Sequence, residues 1–296
     1  MHHFFSDQEF RYLNFLTDDD FVKSQPRLIL NNCNSRFLSD RGLTTVIAFL
    51  ADSISEQFNT ETDSRIVIGV CGSVSSGKSY FSSQIADILR IILNKKISVI
   101  SSDNFIYPSS ELISRNIMHR KGFPESYNYE KMLNFLEDFV NGKQNIEYPV
   151  YSHETYDILP APKQINECNI LIFEGINVLE DPPLQGAETL SSSKSVRDFF
   201  SRSIYLDADE KDIFSWYLDR CFSLVRDAEK NEQSFFRNMI GIPKDELLNK
   251  FTECWDSINH VNLIENILPS MKNADLIVKK DKNHRIVSLL QNSHLI

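Results

Sequence analysis

The stretch "GVCGSVSSGKSY" at 69–80 constrains the fold of this chain more than any other. It places four residues in the spacing G-x-x-x-x-G-K-S, namely Gly72, Gly77, Lys78 and Ser79. An apolar, β-branched segment precedes it at 65–70, and helical apolar spacing follows it. A strand, a glycine loop and a helix in this order predict a loop that holds the phosphates of a nucleotide. An ordinary strand-to-helix turn is the alternative.

Each part of such a loop has a chemical role in a nucleotide site. The backbone N–H groups of 73–79 would surround the β-phosphate, helped by the N-terminus of the following helix. The ammonium group of Lys78 would bridge the β- and γ-oxygens, and the Ser79 hydroxyl would ligate Mg²⁺. The predicted nucleotide contacts come from Gly72, Ser73, Val74, Ser75, Ser76, Gly77, Lys78 and Ser79.

Composition narrows the class of protein. With 296 residues and 42% hydrophobic residues, the chain can bury a substantial core. The formal net charge of −10 argues against general nucleic-acid binding but not against binding ATP, because a few local cations suffice for a nucleotide. The N-terminal segment carries Asp7 where a signal peptide has basic charge, and no apolar run is long enough to span a membrane. We therefore expect a cytoplasmic protein with no nucleic-acid or membrane partner.

The residues before the glycine loop form a separate region of the sequence. Apolar residues recur at three- and four-residue intervals from Phe37 to Phe58, which predicts mostly helical structure over residues 1–60. A polar segment then separates this region from the strand that leads into the loop. We expect an N-terminal helical extension over 1–62, packed on a P-loop domain over 63–296.

Beyond the loop, apolar runs alternate with helical patterns. The candidate strands are Ile97–Ser101, Asn169–Phe173, Ser203–Leu206 and Ala274–Val278, and the helical patterns are 129–141, 210–226 and 244–266. This alternation predicts an α/β fold with a three-layer P-loop NTPase-like core, in which helices flank a mostly parallel sheet. Ligands of such sheets bind at the carboxyl ends of the strands, so the residues after each strand are the candidate site residues.

Two acidic residues follow candidate strands. Asp103 comes after Ile97–Ser101 and could accept a proton from an attacking hydroxyl, although a helix-capping aspartate has the same pattern. Glu174 follows Asn169–Phe173 at a Walker-B position, where it could hold Mg²⁺ directly or through water. A surface glutamate at a strand end is the alternative for that position.

Two further features allow both a functional and a structural interpretation. Arg220 lies on the predicted helix 210–226 and could stabilise charge on a transferring phosphoryl group, but most arginines on helix surfaces are simply solvated. Tyr151, His153 and Tyr156 form a polar and aromatic cluster that could bind a substrate or merely pack together.

Eight blocks of the sequence resemble, in their order, the bacterial-type (type I) pantothenate kinase family. They are "GSVSSGKS" (72–79), "SSDNFIYP" (101–108), "RKGFPESYN" (120–128), "YSHETYDI" (151–158), "LIFEGINVL" (171–179), "SIYLDA" (203–208), "WYLDR" (216–220) and "INHVNLIENILP" (258–269). Uridine kinases and phosphoribulokinases share the glycine loop and the Asp-bearing strand. The third, fourth and last blocks belong more narrowly to pantothenate kinases.

This resemblance implies ATP-dependent phosphorylation of the primary hydroxyl of pantothenate, the first step of coenzyme A synthesis, by a homodimer with coenzyme A as its feedback inhibitor. By resemblance, Asp103 would orient and deprotonate the hydroxyl, and Arg220 would stabilise the γ-phosphoryl group. The cofactors would be ATP and Mg²⁺, held by Lys78 and Ser79. The implied pantothenate channel consists of Tyr151, His153, Tyr156, Tyr217 and Asn259, and Lys280 and His284 match positions beside the adenine.

The sequence also departs from the pattern of that family. Asn104 replaces a glycine next to the expected base, and Ser83 replaces an arginine that members often use in feedback binding of coenzyme A. Leu224 and Met239 replace aromatic residues of the pantetheine channel, and two arginines are lost within 267–274. We expect an active kinase with weaker feedback by coenzyme A.

Two alternatives remain open at the level of sequence. One is a kinase of the same superfamily that acts on another small hydroxylated substrate, as a uridine kinase does. The other is a non-catalytic regulator that binds a nucleotide or coenzyme A. A GTPase is disfavoured because the guanine-reading pattern N-K-x-D does not occur; the segment 94–97 lacks its aspartate.

Overall fold

The protein is described by a computed structural model, which covers residues 10–14, 40–60, 65–181 and 194–293. Within these ranges the strands are β1 (Phe10–Leu13), β2 (Ile66–Gly72), β3 (Ile97–Ser101), β4 (Ile146–Tyr148), β5 (Tyr151–Ser152), β6 (Asp157–Ile158), β7 (Lys163–Ile165), β8 (Ile170–Glu174), β9 (Arg202–Ala208), β10 (Leu276–Lys280) and β11 (Ile286–Asn292). The helices are α1 (Arg41–Thr60), α2 (Lys78–Leu93), α3 (Ser109–Ser114), α4 (Tyr129–Val140), α5 (Glu210–Asp227) and α6 (Lys244–Cys254).

Seven strands form the central sheet in the order β1-β11-β10-β9-β2-β8-β3. The five strands from β10 to β3 pair in parallel, whereas β11 pairs with β10 and with β1 in antiparallel fashion. The predicted mostly parallel sheet is therefore confirmed. The antiparallel pair lies at one edge because a short hairpin, and not a crossover helix, joins β10 to β11.

The central strand β2 shows why the sheet is covered on both faces. Its side chains are buried throughout and alternate between two apolar clusters. Ile68 and Val70 pack into the cluster that includes α1 and α2, while Val67 and Cys71 pack into the cluster that includes α4. A strand buried on both faces is typical of a parallel sheet between two helical layers. The predicted three-layer α/β fold is confirmed.

A third apolar cluster lies above the carboxyl edge of the sheet. It is built from α5 and α6, and Trp216, Phe251 and Trp255 are among its buried side chains. This cluster covers the glycine loop, because Val74 packs against it. None of the helices in the described ranges combines the length and the apolar character that a bilayer span requires.

The structure differs from the sequence prediction at the N-terminal end of the described residues. Phe10–Leu13 forms a strand, although residues 1–60 were expected to be mostly helical, because its backbone pairs with β11 near the opposite end of the chain. The helical part of that expectation holds in α1, which packs on α2 and on β11; Phe37 lies outside the described residues. The division at 62/63 stays a prediction.

The predicted helix 244–266 is also irregular. Regular α-helix ends at Cys254, and most of the chain from Trp255 to Ile267 then adopts π-helical turns. Such turns insert extra residues into the helical repeat and commonly occur at functional sites. The last sequence block with family resemblance lies largely in this stretch.

Candidate active site

The candidate site lies at the carboxyl edge of the parallel strands. The glycine loop follows β2, Asp103 follows β3, Glu174 ends β8 and Lys280 ends β10. The register places Glu174 beside Val70 of β2 on one side and Ser101 of β3 on the other. Parallel pairing brings these groups together because the carboxyl ends of the strands meet at the same edge.

The glycine loop has the backbone that its two glycines permit. Gly72 has φ +147°, and a Cβ atom there would lie 2.7 Å from the Leu206 carbonyl oxygen, so a side chain is excluded. Gly77 has φ +83°, a left-handed conformation that glycine adopts without strain. Helix α2 begins directly after it, at Lys78. The helix N-terminus therefore points into the loop, as anion binding requires.

Three serine hydroxyls of the loop have no hydrogen-bond partner among the described residues, although each is shielded from solvent. They belong to Ser73, Ser75 and Ser76. Buried hydroxyl groups are normally paired, because an unpaired one costs free energy. Phosphate oxygens are strong acceptors for hydroxyl groups, so a bound triphosphate would satisfy these three donors.

Two lysines lie over this loop. Lys78 Nζ donates to the Ser73 carbonyl at 2.9 Å, and Lys280 Nζ donates to the Ser76 carbonyl at 2.8 Å. Burial lowers the pKa of Lys78 and lowers the pKa of Lys280 to about 8. Each ammonium group is thus held in a poorly solvated place with a backbone carbonyl group as its hydrogen-bond acceptor, where a phosphate would be a stronger partner.

Ser79 and Glu174 form a second polar contact at the loop. The Ser79 hydroxyl donates to Glu174 Oε1 at 2.8 Å. Burial raises the pKa of Glu174, while the nearby charge of Lys78 opposes the shift. Hydroxyl and carboxylate oxygens are the ligands that Mg²⁺ takes in nucleotide sites. The pair therefore fits a magnesium ion beside the phosphates.

Asp103 lies in the helical turn Ser102–Phe105 directly after β3. The turn is capped by Ser101, whose hydroxyl accepts from the Asp103 N–H at 3.3 Å, so the aspartate side chain is not the cap. Its Oδ1 instead accepts a hydrogen bond from the Tyr127 hydroxyl at 3.1 Å. Asp103 also interacts electrostatically with Lys78 and favours the charged form of that lysine.

A cleft of about 450 Å³ opens over the loop. It is lined by Ser75, Gly77, Lys78, Ser79, Tyr80, His153, Trp216, Asp219, Arg220 and His284. The ring of His284 stacks on Trp216 with centroids 3.9 Å apart. An adjoining cavity of about 290 Å³ shares Gly77, Tyr80 and His284 with the cleft and also contacts Lys280. Four loop residues thus line the same cleft as the exposed Arg220 and as His153.

Three residues of the predicted pantothenate channel, Tyr151, His153 and Tyr156, form an aromatic group near Asp103. The Tyr151 ring lies 5.1 Å from the His153 ring and 6.4 Å from the Tyr156 ring, both edge-on. The Tyr151 N–H donates to Asn104 Oδ1 at 2.8 Å. The asparagine that departs from the family pattern therefore anchors this group to the turn that carries Asp103.

Two more residues of the predicted pantothenate channel, Tyr217 and Asn259, lie on α5 and on the π-helical turns after α6. Tyr217 is buried against Trp255, with ring centroids 5.4 Å apart, and is not among the residues that line the cleft. Asn259 Nδ2 donates to Cys254 Sγ at 3.9 Å.

Besides Tyr127, which bonds Asp103, two residues of the site were not predicted from the sequence. Lys121 donates to the Tyr156 carbonyl, and its ammonium lies 3.9 Å from the centre of the Tyr156 ring. Burial lowers the pKa of Lys121 to about 8, and Asp103 attracts its charge. Trp216 is the other, through its stack on His284. Both belong to blocks with family resemblance, but neither has a spacing that indicates a role.

The fold and the site together define a P-loop kinase. Residues 67–229 match the sequence model of the phosphoribulokinase/uridine kinase family. A pantothenate kinase of Parvibaculum lavamentivorans is 42% identical over 230 residues, which cover 76% of this chain and 69% of the relative. A pantothenate kinase of Rhizobium meliloti is 40% identical over 281 residues, covering 94% of this chain and 82% of the relative.

The chain therefore belongs to the pantothenate kinase family, within the phosphoribulokinase/uridine kinase family, and the predicted family is confirmed. Its fold extends to more distant kinases. A D-glycerate 3-kinase from Cryptococcus neoformans superimposes with a TM-score of 0.59 over 83% of this chain and 98% of the other. The two sequences are only 11% identical, so this likeness concerns the fold alone.

Proposed function

We propose that this chain transfers the γ-phosphoryl group of ATP to the primary hydroxyl of pantothenate, giving 4'-phosphopantothenate for coenzyme A synthesis. One observation carries the proposal beyond family membership: Asp103 and Lys78 follow β3 and β2, the two strands that flank β8, and they interact electrostatically at the carboxyl edge of the sheet, where an acceptor hydroxyl and a γ-phosphate would have to meet. A non-catalytic binder would have no need of a carboxylate in that place.

The phosphate loop would hold the triphosphate through the backbone N–H groups of 73–79. Lys78 would leave the Ser73 carbonyl and bind the β- and γ-oxygens. Arg220, which lines the same cleft, would stabilise the γ-phosphoryl group. Lys280, expected beside the adenine by resemblance, bonds the Ser76 carbonyl of the loop and would contact the phosphates, while His284 would contact the nucleotide near its base. A magnesium ion at Ser79 and Glu174 would supply positive charge to the phosphate oxygens.

Asp103 would act on the acceptor. Its carboxylate would accept a hydrogen bond from the primary hydroxyl and so aim the hydroxyl oxygen at the γ-phosphorus. As the new O–P bond forms and the bond to the β,γ-bridging oxygen breaks, the hydroxyl proton passes to the carboxylate and ADP leaves. Carboxylic acids are far more acidic than alcohols, so this proton moves late in the transfer.

The remaining residues would bind the body of pantothenate. Tyr151, His153 and Tyr156, whose rings contact one another, would line the approach to Asp103, and Tyr217 and Asn259 would extend the channel along α5 and the turns after α6. The resemblance further supports a cytoplasmic homodimer with a helical extension over 1–62. Sedimentation of the purified chain at several concentrations tests the dimer.

The test of the function is an assay that measures ADP release with ATP-Mg²⁺ and one acceptor at a time. Pantothenate, pantetheine and uridine are compared at equal concentration, and product mass is recorded. We expect turnover with pantothenate and loss of that turnover in Lys78→Met. Turnover with uridine and not with pantothenate would show that the proposed substrate is wrong. ADP release with none of the three would contradict the proposal.

A further inference from the structure

The block "RKGFPESYN" at 120–128 has no part in the reaction described so far. In the structure it is a loop between α3 and α4 that runs beside the turn Ser102–Phe105. Tyr107 N–H donates to the Ser126 carbonyl at 2.9 Å, and Asn128 N–H donates to the Phe105 carbonyl at 2.8 Å. The backbone between them forms an antiparallel bridge from Ile106 to Tyr127. The loop is thus bonded along the segment that follows Asp103.

The loop is also braced from within. Ser126 is fully buried; its hydroxyl donates to the Phe123 carbonyl at 2.7 Å and accepts from the Gly122 N–H at 2.9 Å. Asn128 caps α4 by accepting from the Lys131 N–H at 2.9 Å. Tyr127 therefore stands between a braced turn and the start of a helix, and its backbone has little freedom to move.

The side chain of Tyr127 ends at Asp103. Tyr127 is only 3% exposed, and its hydroxyl donates to Asp103 Oδ1 at 3.1 Å. Burial raises the pKa of Tyr127 well above its usual value, so the phenol stays neutral and can only donate to the carboxylate. A neutral hydrogen-bond donor on a fixed backbone is suited to hold an anionic group in one orientation.

We propose that Tyr127 is a positioning residue for the transfer reaction: it holds Oδ1 of Asp103 and leaves Oδ2 for the acceptor hydroxyl. The proposal rests on the function of Asp103 proposed above. In this proposal the loop 120–128 holds the Tyr127 hydroxyl in place beside the catalytic carboxylate. Positioning of this kind matters because small displacements of a catalytic group reduce rates by large factors.

The test replaces Tyr127 by phenylalanine, which removes the hydroxyl and keeps the ring. We expect kcat with pantothenate to fall about 10- to 100-fold, the usual worth of a hydrogen bond to a charged group, with the KM for ATP changed less than about twofold. Tyr129→Phe is the matched control, because its hydroxyl accepts from Asn177 Nδ2 at 3.3 Å and does not reach Asp103. It should keep kcat within about twofold of the unmodified protein.

A double-mutant cycle with Asp103→Asn separates positioning from a structural effect. If Tyr127 acts through Asp103, Tyr127→Phe should cost less than about threefold in the Asp103→Asn background. The inference would be overturned if Tyr127→Phe lowered kcat equally in both backgrounds, or if it left kcat unchanged in the otherwise unmodified protein. In either case a large fall of kcat in Asp103→Asn would still support the proposed function. Full activity of Asp103→Asn would instead refute the proposed base, and this inference with it.

Discussion

The ammonium group of Lys280 donates a hydrogen bond of 2.8 Å to the Ser76 carbonyl, although the two residues are 204 positions apart in the chain. This contact ties the end of β10 to the phosphate loop. Lys280 is thus a second buried cation, in addition to Lys78, at the place where the phosphates of a nucleotide would bind. The two cations repel each other, and this repulsion adds to burial in lowering the pKa of Lys280.

Binding of ATP should weaken at alkaline pH. The pKa of Lys280 is lowered to about 8, so the lysine is charged below that pH and loses its attraction for phosphate as the pH rises through it. We expect the Kd of a non-hydrolysable ATP analogue to rise about 3- to 10-fold between pH 7.5 and 9, measured by calorimetry. Lys280→Arg should flatten this dependence, because a guanidinium stays charged. A Kd that is constant over this range in the unmodified protein would count against the prediction.

Removal of the carboxylate at Asp103 should slow the chemical step. We expect Asp103→Ala to lower kcat by roughly 10²- to 10⁴-fold, the range for a positioned acid or base, with a much smaller change in ATP affinity. Single-turnover measurements with saturating substrates check this directly. Rates close to those of the unmodified protein would show that Asp103 is not the base.

The contact between Ser79 and Glu174 predicts a defect in the use of magnesium. Glu174→Gln keeps the size of the side chain but removes its charge, so we expect the Mg²⁺ concentration for half-maximal rate to rise roughly tenfold or more. Glu180→Gln is the control: this carboxyl is half-buried, which raises its pKa to about 8, and it bonds Tyr129 instead of the loop. Equal Mg²⁺ requirements in both variants would exclude Glu174 from the metal site.

Inhibition by coenzyme A should be weak in this chain. Ser83 is exposed on α2, one helical turn beyond Ser79, and cannot supply the charge that an arginine would bring to this position. We expect Ser83→Arg to lower the inhibitory concentration of coenzyme A about tenfold, because a charge-assisted hydrogen bond becomes possible. Ser83→Gln controls for side-chain length. Strong inhibition of the unmodified protein at micromolar coenzyme A, competitive with ATP, would refute the expectation.

Local sequence rules were sufficient for the phosphate loop. The backbone at Gly72 and Gly77 needs residues without a Cβ, and the strand before and the helix after have their own periodicity. The parallel strands were also found from their apolar runs, with ends that agree within two residues; Ile97–Ser101 matches at both ends, and Ile170–Glu174 is displaced by one residue. The strand Phe10–Leu13 was missed, because its pairing with β11 joins two ends of the chain and leaves no local pattern.

What the sequence determined by itself, then, was the class of fold, the phosphate loop and the family, since each depends on neighbouring residues or on the order of short blocks. The sequence also assigned Ser79 and Glu174 to one magnesium site, and the structure shows them in contact. Tertiary structure alone decided that Tyr127 meets Asp103 and that Lys280 meets Ser76. These contacts join residues from 24 to 204 positions apart. Glu174 and Lys280 reach the phosphate loop because parallel strands bring their carboxyl ends to one edge of the sheet. Tyr127 reaches Asp103 because the loop 120–128 is hydrogen-bonded along the segment that follows this aspartate.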